Sequence, residues 1–238
     1  IGSRAFQNCG VLTSVNIPSS VTLIDSYTFV GCTQLNSVTF DPTSHVERIE
    51  TGAFRECTSL TSITLPASLT FVDSNAFKGC YSLQFNVEAG NANYSAQGET
   101  LYNKDKTVLI SHPAGGTCTV ADTVTTIGTR AFSYNEQLQS VVLPENLEII
   151  EDEAFQGAGL TTLSLPLSLQ TIGDHSFFGC SNLESIVIPG NVQSVGSYAF
   201  WSCENLKEFF YPANLDISSA RINYSNNNTS IISYIENN

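Results

Sequence analysis

Short runs of alternating hydrophobic and polar residues recur along the chain at nearly constant spacing. In the run Leu12-Thr-Ser-Val15-Asn-Ile17, apolar side chains fall on one side and small polar ones on the other, which is the period of a half-buried β-strand. A proline follows seven of these runs, and because proline donates no backbone hydrogen bond it ends the strand there. A phenylalanine precedes the runs at steps of 22 to 25 residues, apart from one gap of 55: Phe6, Phe29, Phe54, Phe77, Phe132, Phe155, Phe177 and Phe200.

Self-similarity at this period predicts a repeat solenoid. Each rung would supply one short parallel strand, and stacked rungs would together bury apolar faces that no single rung can bury. We expect the phenylalanine to close the core opposite the strand. A second apolar pair, such as Val21 and Ile24 in the first rung, would line the return segment.

The consensus A-F-x-x-C-x-x-L-x-S-V-x-I-P resembles that of the BspA-like leucine-rich repeat proteins, and the resemblance covers residues 1–212. It implies a curved leucine-rich-repeat solenoid, a right-handed superhelix of about nine or ten rungs with one short parallel strand per rung. It also implies a non-enzymatic module for adhesion or recognition in a surface protein. A cell-surface or secreted location rests on this resemblance, and a cytoplasmic location is the alternative.

Two segments depart from the pattern. In the 55-residue gap, Thr100–Ile110 has the pattern of two strands around Asn103–Lys106, which predicts a variant rung with a hairpin insertion at about 88–117. A ligand-specific loop is the alternative, since insertions in solenoids often carry the binding element. Residues 213–238 are rich in Asn and Ser, and we predict a C-terminal cap there, with a stalk as the alternative.

The charge balance narrows the classes of partner. Nine Lys and Arg against 22 Asp and Glu give a net charge of −13, which repels nucleic-acid phosphates and anionic membrane surfaces. No apolar run approaches the roughly 18 residues of a membrane span, so we expect no direct membrane insertion in this segment. Because Ile1 opens in the middle of a repeat, we interpret the chain as a piece of a longer protein.

Six of the seven cysteines share one repeat position, three residues after the phenylalanine, and Asn135 and Ala158 occupy that position in two other rungs. Stacked rungs would place neighbouring Cβ atoms ~4.8 Å apart, beyond the ~3.5–4.5 Å of a disulfide, so we predict free thiols buried as small apolar residues. The sequence carries no recognisable catalytic or metal-binding motif, and we assign no catalytic residue, metal ligand or cofactor. The acidic triplet Glu151–Glu153 is interpreted as solvated carboxylates at a turn.

The outward strand positions carry small, mostly uncharged residues, a composition that suits a flat surface for a protein or glycan partner. The other interpretation is that Ser and Thr are merely tolerated there. Two aromatic residues, each following the repeat phenylalanine in consecutive rungs, would form an exposed stacked pair unless the cap covers them. The partner-binding candidates are Ser14, Ser37, Thr39, Ser62, Thr64, Phe178, Val187, Trp201 and Phe210.

Four asparagines fit the N-glycosylation sequon, which matters only in a protein secreted by a eukaryote: Asn93, Asn223, Asn227 and Asn228. Two other functions remain open. The solenoid could be a structural element that self-assembles into a filament or larger complex, or an intracellular interaction scaffold, which would suit the free thiols.

Overall fold

A computed structural model describes residues 1–222 and the backbone of the strand Ser230–Tyr234. The chain divides into two compact units, one comprising residues 1–106 and 110–114 and the other residues 107–109 and 115–238. Unit 1 contains β1 (Ser14–Ile17), β2 (Leu23–Ile24), β3 (Ser37–Phe40), β4 (Arg48–Ile49), β5 (Ser62–Leu65), β6 (Phe71–Val72), β7 (Gln84–Val87), β8 (Tyr94–Gln97) and β9 (Thr100–Asn103).

Unit 2 begins at residue 107. It contains the first two residues of β10 (Val108–Ser111), followed by β11 (Gly116–Thr119), β12 (Thr126–Ile127), β13 (Leu138–Val142), β14 (Ile149–Ile150), β15 (Thr171–Ile172), β16 (Ser185–Val187), β17 (Ser194–Val195), β18 (Glu208–Pro212) and β19 (Ser230–Tyr234). Each unit is a stack of rungs, and the predicted solenoid of parallel strands is confirmed, with about nine rungs in the described residues.

The front strands follow the alternating pattern of the sequence. In unit 1, β1 pairs in parallel with β3, and β5 pairs with β7. In unit 2, β11 pairs with β13, and β16 pairs with β18, which in turn pairs with β19. Along β5, exposed Ser62 and Thr64 alternate with buried Ile63 and Leu65, so that one face of each front strand enters the core.

The return segment of each rung forms a second, two-residue back strand. The back strands pair in parallel, in the order β2, β4, β6 in unit 1 and β12, β14, β15, β17 in unit 2. The second residue of every back strand is an Ile or Val buried in the core. A rung of this solenoid therefore carries two strands where the sequence predicted one strand and an apolar return.

The repeat phenylalanines stack on one another through the core. In unit 1 the ring centroids of successive residues from Phe6 to Phe77 lie 5.2 to 5.4 Å apart, with interplanar angles of 10° or less. Phe85 of β7 ends this column with an edge-on contact to Phe77 at 5.2 Å. Unit 2 repeats the arrangement, because Phe209 of β18 meets Phe200 edge-on at 5.0 Å. Both edge-on contacts have the geometry that aromatic pairs favour.

The turn around each phenylalanine supplies a further ladder between rungs. In most rungs the residues two before and two after the phenylalanine adopt left-handed φ values, as at Tyr27 (59°) and Gly31 (73°). The backbone N–H groups of Tyr27, Phe29 and Gly31 then donate to carbonyls of the next rung at 2.9, 2.8 and 2.8 Å. These hydrogen bonds offset the steric cost of the left-handed conformation, about 1–2 kcal/mol for a residue other than glycine.

The segment that interrupts the repeat contributes a hairpin to unit 1. Strands β8 and β9 pair antiparallel, with Tyr94 opposite Asn103 and Gln97 opposite Thr100. After β9, the N–H of Lys106 donates to the carbonyl of Asn103 at 3.1 Å and closes the next turn.

Candidate recognition surfaces

The front strands of unit 2 expose a column of uncharged residues that includes two valines. Thr119 lies opposite Val142 in the β11–β13 pair, and Val187 lies opposite Phe210 in the β16–β18 pair. Val142 is 55% exposed and Val187 53% exposed, whereas Phe210 is half-buried. Exposure of an aliphatic side chain to water costs free energy. These two valines are therefore the residues of the column that would gain most from being covered by a partner.

The neighbouring column of unit 2 is more polar. The Ser140 hydroxyl donates to Thr117 Oγ1 at 3.0 Å, and a parallel bridge joins Thr162 to Ser185. Ser185 in turn lies opposite Glu208, which adds one carboxylate at the end of the column.

The front face of unit 1 is polar throughout. The structure places Ser14, Thr39, Ser62 and Thr64 in exposed positions and leaves Ser37 half-buried: these are the candidates that the alternation predicted for this face. Thr39 Oγ1 donates to Asn16 Oδ1 at 2.9 Å, a cross-strand bond that fixes both side chains. The five candidates fall on two parallel strand pairs, because Ser14 lies opposite Ser37 while Ser62 and Thr64 lie opposite Gln84 and Asn86.

The aromatic candidates Phe178 and Trp201 are linked through two other rings. Phe178 contacts His175 at 5.6 Å, His175 stacks on Tyr198 at 5.3 Å with an angle of 14°, and Tyr198 meets Trp201 edge-on at 6.1 Å. The direct stack expected from their spacing is thus replaced by a four-ring cluster. Trp201 is 38% exposed and Tyr198 40% exposed, and Phe178 is half-buried.

His175 and Tyr198 were missed by the sequence reasoning, although they share a repeat position two residues before the phenylalanine. In other rungs the same position holds Arg4, whose guanidinium lies 5.3 Å from the Tyr27 ring centroid, and Arg130, which is paired with Glu153. Long or aromatic side chains at this position therefore meet across adjacent rungs. The sequence signal was a charged or aromatic residue at this position in six of the eight rungs, with Gly52 and Asn75 in the other two.

The pair between Arg130 and Glu153 is bidentate. Arg130 Nε donates to Glu153 Oε2 at 2.8 Å, and its terminal nitrogen donates to Oε1 at 2.7 Å. The hydrogen bonds from Arg130, helped by the charges of Arg130 and His175, hold the pKa of Glu153 below its ordinary value. An ionised Glu153 next to His175 thus borders the ring cluster.

The cysteine column is structural. All seven thiols are free and six are buried, which confirms the prediction, while Cys9 is half-buried. Each of the five buried thiols of this column donates to the carbonyl of the phenylalanine one rung earlier, as Cys80 does to Phe54 O at 3.1 Å. Burial raises the pKa of Cys80 and of Cys203 to about 12, so these thiols stay protonated at neutral pH.

Residues 1–222 bring together no group of three or more His, Cys, Asp or Glu side chains that could hold a metal ion. Nor does any helix among the described residues have the length and apolar character needed to cross a membrane. Of the sequons, Asn93 is exposed and its amide donates to Leu69 O at 3.2 Å, whereas Asn223, Asn227 and Asn228 lie outside the described residues.

Several solved structures of bacterial leucine-rich repeat proteins are similar to this chain. A cell surface protein of Faecalibacterium prausnitzii is 29% identical with a TM-score of 0.75, over 99% of this chain and 63% of that one. The pneumococcal vaccine antigen PcpA is 30% identical with a TM-score of 0.72, over 84% of this chain and 51% of that one. A leucine-rich repeat protein of Eubacterium ventriosum, 24% identical over 91% of this chain and 71% of that one, shares the fold with a TM-score of 0.66.

The chain thus spans about half to two thirds of the length of the first two of these proteins. No curated protein is significantly similar to it in sequence. The family described as BspA type leucine rich repeat region matches residues 1–106 and 116–231 in six copies. With this match over most of its length, and with the stacked phenylalanines and cysteines of the repeat in place, the chain belongs to the BspA-type leucine-rich repeat family.

Proposed function

We propose that the chain is a non-enzymatic recognition module of a cell-surface protein and binds a protein partner through the front face of unit 2. Leucine-rich repeat regions are typically non-enzymatic binding modules, and one similar structure is that of a cell surface protein. The observation that carries the proposal is the exposure of Val142 and Val187 in one column of a front face whose outward positions are otherwise mostly small and polar.

A face of this composition suits a protein partner for two reasons. Val, Ser and Thr have few rotamers, so little side-chain entropy is lost when a partner covers them. Burying an exposed valine removes apolar surface from water at roughly 25 cal/mol per Å². The hydroxyls of Ser140 and Thr117, which bond to each other, retain lone pairs that can accept hydrogen bonds from a partner.

The proposal is tested by binding of the labelled 238-residue chain to cultured epithelial cells. V142D and V187D place a charge in the centre of the proposed contact, and each is expected to weaken binding at least tenfold, because the new carboxylate would be buried without a partner. The matched control is Q193D, which adds the same charge beside the back strands of unit 2. Unfolding midpoints of all three variants report whether the fold is retained.

Pretreatment of the cells identifies the class of partner. A protein partner predicts that protease treatment abolishes the part of the binding that V142D and V187D remove, and that glycosidase treatment leaves this part intact. Loss of this part only after glycosidase treatment would instead establish a glycan partner for the valine face and contradict the proposal. The proposal is equally wrong if V142D and V187D bind like Q193D, or if sedimentation at rising concentration shows that the valine face joins copies of this chain into a filament.

A further inference from the structure

A groove at the end of unit 2 has the composition of a ligand site. Its volume is about 490 Å³, within the range of small-molecule sites. Leu215 and Ile222 are buried beneath it, and Trp201 and Tyr211 supply aromatic surface. The other described residues that line it are Ala213, Asp216, Ile217, Ser218 and Arg221.

The backbone of the segment that lines the groove is held by the preceding rung. The Tyr198 N–H donates to Ser219 O at 2.9 Å, and the Phe200 N–H donates to Ala220 O at 3.2 Å. The Ser219 hydroxyl donates to Val195 O at 3.2 Å. Because these bonds hold the segment against the preceding rung, the groove exists before any ligand binds, which lowers the entropic cost of binding.

Arg221 resembles Arg4 and differs from the other three arginines of the chain, because each of these two lies near a tyrosine ring and has no ion pair within the described residues. Arg48, Arg55 and Arg130 each form an ion pair with a glutamate. Within the described residues Arg221 forms no ion pair, and its guanidinium lies 5.7 Å from the centroid of the Tyr198 ring. A guanidinium at this distance from an aromatic ring is attracted to the ring and keeps N–H donors for a ligand.

Asp216 provides an acceptor on the same groove. Its Oδ1 accepts the backbone N–H of Ser218 at 2.9 Å. Hydrogen bonds from the Ser218 N–H and hydroxyl lower the pKa of Asp216, so the carboxylate stays ionised and its remaining lone pairs can accept from a ligand. An aspartate and an arginine on one groove combine a strong acceptor with a fork of donors.

We propose that this groove binds a neutral sugar at the end of a glycan. A pyranose ring has an apolar face that can pack on an indole, and adjacent hydroxyls that both donate and accept, which matches Trp201 with Asp216 and Arg221. An acidic sugar or an acidic peptide would satisfy Arg221 but would meet Asp216 and a chain of net charge −13. This site is separate from the valine face, and its test does not depend on the proposed protein partner.

Trp201 is the only tryptophan of the chain, so its fluorescence reports directly on the groove. The chain is titrated with neutral disaccharides of glucose, galactose, mannose and N-acetylglucosamine. N-Acetylneuraminic acid and an aspartate-rich peptide serve as the acidic probes. We expect a saturable change in emission with at least one neutral disaccharide, and none with the acidic probes at the same concentrations.

Conservative variants then test the two polar residues. D216N and R221Q are each expected to weaken binding of that disaccharide about tenfold, since each removes a hydrogen bond to a charged group. E145Q and K207Q remove a charge of the same sign from exposed positions outside the groove and should leave binding unchanged. Retention of W201A on immobilised disaccharide, measured without fluorescence, should also fall at least tenfold.

Four results would overturn the proposal. The first is a full titration in which no neutral disaccharide binds, and the second is binding of the acidic probes alone. The third is unchanged affinity in D216N and R221Q when their unfolding midpoints equal that of the unsubstituted chain. A loss of affinity in E145Q or K207Q equal to that in D216N would count against the groove as well.

Discussion

The thiol of Cys80 donates a hydrogen bond to the carbonyl oxygen of Phe54 in the preceding rung, with an Sγ–O distance of 3.1 Å. The same bond joins Cys57 to Phe29 and Cys203 to Phe177. The cysteine column therefore fills space and also bonds one rung to the next, which explains why a small residue with a donor is common there.

This bond predicts a graded response to removing cysteines. C80A is expected to lower the free energy of unfolding by about 1–2 kcal/mol, because it removes the hydrogen bond and leaves a small cavity. C9A, at the half-buried first position of the column, should cost less than about 0.5 kcal/mol. Urea unfolding followed by circular dichroism measures both, and equal losses in the two variants would show that the bond contributes nothing.

The phenylalanine column predicts a contrast between an internal and a terminal position. Phe54 is fully buried between Phe29 and Phe77, so F54A should cost about 3–5 kcal/mol. Phe6 is 37% exposed and stacks on one ring only, and F6A should cost less than half as much. Thermal unfolding of the two variants tests this contrast, and a larger loss in F6A would contradict the stacking argument.

His112 predicts a loss of stability in mild acid. Its ring is buried, its Nδ1 lies 2.8 Å from Thr100 Oγ1, and burial lowers its pKa from 6.5 to about 4. The unfolded chain binds this proton below pH 6.5 while the folded chain resists it until pH 4, so stability falls between these values by up to about 3 kcal/mol and then levels off. Denaturant midpoints measured from pH 7 to pH 4 should show this slope.

The matched variant for this prediction is H112Q, which keeps a polar side chain that does not titrate. Its overall stability is free to differ, because the informative quantity is the slope. A slope between pH 6.5 and 4 as steep as in the unsubstituted chain would assign the effect to carboxylates instead of His112.

Two glycines with left-handed φ values are expected to differ in how well they tolerate an added methyl group. Gly157 has φ of 63°, and a Cβ there would lie 2.8 Å from the Tyr134 ring, so G157A combines backbone strain with a steric clash. Gly98 has φ of 58° in the turn between β8 and β9, with no atom within 4 Å of such a Cβ. We expect G157A to cost at least about 2 kcal/mol and G98A about 1 kcal/mol, measured by urea unfolding. A G98A loss equal to that of G157A would refute the clash.

The core was predictable from the sequence because a buried position constrains a residue type. Residues equivalent to Phe54, Leu60 and Ile63 recur at the same repeat positions in other rungs. This recurrence indicates both the strand and the side of the core opposite to it. The recognition surfaces were less predictable, since the contact of His175 with Tyr198 depends on left-handed turns that no residue type marks: arginine, tyrosine, glutamate and glycine all occupy them. Most residues that line the groove lie after Pro212, where the repeat pattern ends, so the sequence did not predict the groove.

The turn hydrogen bonds give the stack a direction. At most phenylalanine turns, the N–H of one rung donates to a carbonyl of the next, as Phe29 does to Ala53. In five rungs a cysteine thiol donates back, as Cys57 does to Phe29. A rung therefore presents its turn N–H groups and the phenylalanine carbonyl to the next rung, and its other turn carbonyls and the thiol to the preceding one. Deleting or duplicating a whole repeat brings together two rungs whose donors and acceptors still match. Deleting or inserting part of a repeat would place segments that do not correspond next to each other. The length of such a protein can thus change in steps of one rung while its internal bonding stays the same.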